Sequence, residues 1–166
     1  MGRPLKGSSR VAARCRLGLP VVIETAPVTG EGEPFPTLYY LTCPLARTRV
    51  SRLEHAGKVR ELTARLASDP AFAAAFERAD RAYRAARTAR VPPGSPVLSR
   101  LRGGVGGAEG GVKCLHAHLA HLLAGGDNPV GAAIRDRVEP LDCPVPCVRE
   151  GARNPAWREP PQGITA

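Results

Sequence analysis

At 166 residues the chain suits one domain, and its 43% hydrophobic content allows a modest core that aliphatic side chains must fill, aromatics being only 4%. A formal net charge of +9 points toward anionic partners such as nucleic acid, although abundant arginine and alanine are also what a GC-rich coding sequence produces. No apolar run reaches the about 18 residues that span a bilayer and none follows the basic N-terminus, so neither membrane insertion nor a secretory signal is expected and the location expected is cytoplasmic.

Residues 1–14 are polar and basic and read as a loose arm, with the domain counted from residue 11. Val21 to Ala26 forms a short β-rich run between Pro20 and Pro27. Gly30, Gly32 and Pro34 mark a turn, and Phe35 to Cys43 reads as a second strand, so the two runs predict a hairpin. Helix follows, with Pro44 suited to a first turn. Val50 and Leu53 share one face, and Val59, Leu62 and Leu66 share another that points nearly the opposite way. One straight helix cannot bury both, so a break is expected near Gly57. Asp69-Pro70 starts a third helix with Asp69 as N-cap, its core stripe being Phe72, Phe76, Ala79, Tyr83 and Ala86. Arg78, Arg81, Arg84 and Arg87 are expected along its outside, where Glu77–Arg81 and Asp80–Arg84 have salt-bridge spacing.

Residues 91–111, rich in proline and glycine, read as a linker within the domain. A helix is expected from about Val112 to Leu123, stopped by Gly125-Gly126, with Leu115, Leu119 and Leu122 as its core face. A short amphipathic stretch follows around Ala132–Val138, and residues 139–166 read as an irregular Pro-rich tail. The expected fold is therefore α+β: an N-terminal β-hairpin packed on about four α-helices.

Residues 114–121 hold the densest potential chemistry, Cys-Leu-His-Ala-His-Leu-Ala-His. On a helix Cys114, His118 and His121 fall within roughly 60° of one another, while His116 lies beyond the leucine face. Cys114 and His118 are spaced i,i+4, which lets two ligands reach one ion; Cys114 and His121 lie roughly 10 Å apart along the axis, too far to share one. In an antiparallel hairpin Cys15 falls within a few positions of Cys43, at the open end. Two thiolates there, facing Cys114 and His118, would make a closed Cys₃His zinc site. The competing reading is that these are ordinary small buried thiols. Cys143 and Cys147 form Cys-Pro-Val-Pro-Cys, either a second metal pair, a strained disulfide or incidental thiols in the tail. Five cysteines, an odd count, argue against a complete disulfide framework. Glu24 and Glu54 read as isolated carboxylates, and no hydrolase, zincin or phosphate-loop motif is present.

Several stretches together resemble a known family: Arg-Cys-x-x-Gly-Leu-Pro at 14–20, Glu-Thr-Ala-Pro at 24–27, Pro-Phe-Pro-Thr-Leu-Tyr-Tyr-Leu-Thr-Cys-Pro at 34–44, Ser-Arg-Leu-Glu at 51–54, Val-Lys-Cys-Leu-His at 112–116 with His121, and Asn-Pro-x-Gly at 128–131. They are similar to the domain of unknown function 501 family of high-GC Gram-positive bacteria, over about residues 10–135. The resemblance implies no catalytic role. Its motifs coincide with Cys15, Cys43, Cys114, His116 and His121 and leave out His118, which favours His116 or His121 as the histidine ligand.

The reading that follows is a non-enzymatic binding or adaptor protein with a structural zinc site drawn from Cys15, Cys43, Cys114, His116, His118 and His121. One alternative is an enzyme using a Cys114 nucleophile or an open metal site. The other is binding of nucleic acid or another polyanion through Arg78, Arg81, Arg84 and Arg87.

Overall fold

The structure, a computed structural model, describes residues 7–160. Three antiparallel strands, five helices and a small C-terminal hairpin form a mixed α+β architecture. The strands β1 (Ser9–Arg14), β2 (Pro20–Thr25) and β3 (Tyr39–Leu41) pair in the order β1-β2-β3. The expected β2–β3 hairpin is present, with Val22 opposite Leu41 and Glu24 opposite Tyr39.

The arm is a correction: its residues 9–14 form β1 on the other side of β2, in a register that includes Val11 opposite Ile23 and Arg10 opposite Glu24. Its basic residues suit an edge strand, because one side of it meets solvent. Residues 1–6 lie outside the described part of the chain. Glu24 is likewise not an isolated surface carboxylate. It is buried on β2, where Arg10 and Arg90 both hydrogen-bond to it.

The helices are α1 (Pro44–His55), α2 (Lys58–Ser68), α3 (Pro70–Thr88), α4 (Leu115–Leu123) and α5 (Pro129–Arg135). The break between α1 and α2 falls at Gly57, whose φ of 85° is a backbone state that glycine adopts without strain. Asp69 caps α3 by accepting from the Phe72 N–H at 3.0 Å. Tyr83 and Arg87 of α3 pin the segment before β3. The Leu38 N–H donates to the Tyr83 hydroxyl at 2.7 Å, and Arg87 donates to the Pro36 carbonyl at 2.8 Å.

The 91–111 stretch is not a free linker. It carries two 3₁₀ turns, Pro96–Arg100 and Val105–Gly107, and buries Val91, Val97, Val105 and Ala108. Asp80 anchors it by accepting from the Val105 N–H at 2.9 Å. The C-terminal part is not an irregular tail either. Strands β4 (Val148–Arg149) and β5 (Ala152–Arg153) form a hairpin, and Cys143 and Trp157 join the core. Arg49 of α1, only 2% exposed, holds this segment through the Val138 and Pro140 carbonyls at 2.7 and 2.9 Å. Among the described residues, no helix is long and apolar enough to cross a membrane.

Candidate metal centre

Helix α4 lies at the centre of the molecule, packed against β3, α1 and α5. It begins three residues later than its periodicity suggests. Cys114 is its N-cap, with extended backbone angles of −144° and 112°. The Cys114 carbonyl still accepts the His118 N–H at 3.3 Å, but the two side chains take different partners.

Cys114 instead meets His116 and Glu54. One sulfur, one imidazole nitrogen and one carboxylate oxygen lie within 4.8 Å of one another. The His116 Nδ1 is 3.2 Å from Glu54 Oε1, and the Cys114 sulfur lies within 4.8 Å of the same imidazole. Glu54 comes from α1, and it also caps α4: Oε1 accepts the Leu115 N–H at 2.7 Å. A carboxylate there complements the positive end of the helix dipole. The other ring nitrogen, Nε2, lies 3.1 Å from the Arg47 carbonyl and 3.3 Å from the Ser51 hydroxyl. A carbonyl can only accept, so Nε2 carries a proton and Nδ1 faces Cys114 and Glu54. Cys114 raises the pKa of His116 above its ordinary value by favouring the imidazolium, burial opposes this, and the Glu54 charge adds to it.

All three side chains are part-buried. Cys114 and His116 line a cleft of about 420 Å³ with Thr37, Tyr40, Arg47 and Ser51. The floor comes from the second 3₁₀ turn, where Gly106, at φ 68°, approaches Cys114 so closely that an added Cβ would lie 3.3 Å from the Cys114 Cβ.

His118 and His121 face the core and are not brought to Cys114. Both neighbour Asn128, the N-cap of α5. The Asn128 Oδ1 accepts from the Gly131 N–H at 2.9 Å, and its Nδ2 lies 3.1 Å from Nδ1 of both histidines. An amide nitrogen can only donate, so Nδ2 donates to the His121 Nδ1; the His118 Nδ1 lies within reach of both Nδ2 and Oδ1, the latter at 3.2 Å, and the buried His118 Nε2 has no hydrogen-bond partner among the described residues. The rings also pack as aromatics. His121 stacks on Tyr39 at 5.8 Å and meets the Tyr83 edge at 5.3 Å, and His118 lies 5.7 Å from Phe76. Burial lowers the pKa of His118 to about 4 and that of His121 below its ordinary value.

All five cysteines are free thiols. Cys15 and Cys43 do reach the same end of the sheet, as the hairpin reading expected, but Cys114 is not their neighbour there. Cys43 occupies the N-cap position of α1 without a side-chain cap hydrogen bond, near enough to Cys143 and Cys147 for their charges to act on it. Of the four arginines expected along the outside of α3, Arg78 is exposed, while Arg81 pairs with Glu77 at 3.6 Å and Arg84 with Asp80 at 2.7 Å. Arg87 is a correction: it is 2% exposed and donates to the Pro36 and Gly103 carbonyls, so it offers nothing to a polyanion. Glu54 was missed as a member of this group because its place there depends on α1 crossing the start of α4; the one legible signal was its position in the Ser-Arg-Leu-Glu motif.

A family model described as a protein of unknown function (DUF501) matches residues 11–136, about three quarters of the chain. No curated protein and no solved structure matches.

Proposed function

Because the chain belongs to the DUF501 family, whose description names no activity, we propose from the site alone that it is a metal-binding protein with an open three-ligand centre. Glu54, Cys114 and His116 hold a zinc ion, and the fourth position faces the cleft and takes a ligand from it. The observation that carries this reading is the convergence of sulfur, nitrogen and oxygen donors within 4.8 Å. One soft and two harder donors suit zinc, and three protein ligands beside a cleft are the pattern of an open centre rather than a closed structural one. The shell behind the ligands agrees. A metal-bound histidine usually donates its far N–H to a carbonyl or carboxylate, as His116 Nε2 does to Arg47, and the Glu54 carboxylate is oriented by the Leu115 N–H.

The test is zinc content of protein purified without chelator. Cys114→Ser and His116→Ala should each lower bound zinc by about one equivalent. Equal zinc in wild type and both variants sinks the proposal.

The closeness of Cys114 to His116, within 4.8 Å, with Glu54 on the same imidazole, favours a second reading: a thiol nucleophile with a histidine base. Alkylation of zinc-stripped protein separates the two. A Cys114 that reacts no faster than free cysteine at neutral pH excludes the nucleophile.

A further inference from the structure

We propose that Cys15, Cys43, Cys143 and Cys147 form a second metal site, a closed four-thiolate zinc centre that fastens the C-terminal segment to the sheet. This site is distinct from the Glu54 group and does not depend on it.

Four of the five cysteines, from three distant parts of the chain, come to one end of the sheet. Cys15 opens the turn between β1 and β2: its N–H donates to the Leu19 carbonyl and its carbonyl accepts from the Gly18 N–H, both at 2.9 Å. Beside it, the Thr42 N–H donates to the Val21 carbonyl at 2.8 Å and the Thr42 hydroxyl to the Pro20 carbonyl at 3.0 Å, which sets Cys43 against the start of β2. Arg16 reaches from the β1–β2 turn to the Asp142 and Cys143 carbonyls at 3.1 and 2.8 Å. Cys147 is held by the C-terminal hairpin. Glu150 and Gly151 have φ of 52° and 78°, as a two-residue type I′ turn requires, and the Asn154 N–H closes the ladder on the Cys147 carbonyl at 3.0 Å. The thiols are near enough to sense one another: Cys43 senses Cys147 and Cys143, and Cys147 senses Cys143 and Cys15. No three of these sulfurs lie within 4.8 Å of one another, so coordination draws them inward. Cys15 and Cys147, each only part-buried, have room to move.

The surroundings suit an anionic cluster. Cys43 occupies the N-cap position of α1, the nearby Ala46 and Leu45 backbone amides favour its thiolate without a formed cap hydrogen bond, and the first turn of that helix holds no acidic residue. The Trp157 indole N–H donates to the Cys143 sulfur at 3.4 Å. N–H groups aimed at sulfur are how a protein orients thiolate ligands. On binding, each thiol releases its proton to solvent, and one Zn²⁺ with four thiolates leaves a cluster of charge 2−. Arg16 and the positive end of α1 stand beside it. All four donors are soft and none of the positions is left for water, which is the chemistry of a structural site. The site also joins the family-matched residues, which end at 136, to the segment beyond them.

Trp157, the only tryptophan, is buried against Cys143 and reports on this contact. Zinc is measured in wild type, Cys15→Ser, Cys147→Ser and the double variant Glu54→Gln/Cys114→Ser, all purified without chelator. Each single variant should lose about one equivalent that the double variant keeps. A chelator should shift Trp157 emission of the wild type to the red, zinc should restore it, and Cys147→Ser should show neither change. Three results would overturn the site: equal zinc in wild type and both single variants, Trp157 emission indifferent to chelator, or a disulfide among these cysteines in protein purified under reducing conditions. Zinc lost only in the double variant overturns this site and leaves the Glu54 centre standing; the converse result does the reverse.

Discussion

Asn128 does three things with one side chain: it caps α5 and satisfies the Nδ1 atoms of His118 and His121. Truncation to alanine removes a helix cap, about 1 kcal/mol, and strands buried imidazole nitrogens at about 1–3 kcal/mol. Asn128→Ala should therefore destabilise the protein by about 3 kcal/mol, read from the urea midpoint at constant slope; a loss below about 0.5 kcal/mol would refute the shared role. The same residue explains why reading the histidines from spacing misled. Their density suggested a ligand set, yet in a chain with only 4% aromatics two of them serve as rings of the core. Nothing in the sequence marks an imidazole as buried, because burial depends on what α3 and α5 place around it.

Among the elements, α4 decides the site. Its apolar face was legible from Leu115 and Leu119, both of which are fully buried. Its start was not, because no Ser, Thr, Asp or Asn precedes it; the cap is supplied by Glu54 from another helix. Tight packing of α4 against α5 explains the glycine in Asn-Pro-x-Gly. A Cβ at Gly131 would fall 2.7 Å from the His118 carbonyl oxygen and 2.8 Å from the Leu122 Cβ. Gly131→Ala should cost about 1–3 kcal/mol despite alanine's better helix propensity, as overpacking does. A stability gain in thermal or urea unfolding would show that the helices are not held at this spacing. The helix break at Gly57 and the cap at Asp69 were both legible, since each depends on local backbone chemistry alone.

At the scale of the whole molecule, the buried neutral histidines make stability depend on pH. Burial lowers His118 from an ordinary 6.5 to about 4, so between these values the unfolded chain binds a proton that the folded chain refuses. The His118 contribution to stability is full above about 6.5 and falls as the pH drops toward 4, by about 3 kcal/mol across the window, and His121 acts in the same direction. Urea unfolding at a series of pH values should show this loss, and His118→Gln should flatten it; an unchanged slope in that variant would mean other groups carry it. Glu24 adds to acid lability below this window: burial raises its pKa, and hydrogen bonds from Arg90 and Arg10 outweigh that to leave it below the ordinary carboxylate value.

The sequence by itself determined the α+β class, the β2–β3 hairpin, the helix break at Gly57, the cap at Asp69, and the family. All of these rest on contacts within a few residues or on motifs read in line. Only the tertiary structure decided which ligands meet. Glu54, Cys114 and His116 converge because α1 crosses the first turn of α4. His118 and His121 are withdrawn into the core by Asn128. Cys143 and Cys147, which composition assigned to a tail, fold back beside Cys43 through Arg16, Arg49 and Trp157. The physical reason is common to all three: which side chains meet is set by crossings between elements far apart in the chain, and no local periodicity encodes those crossings.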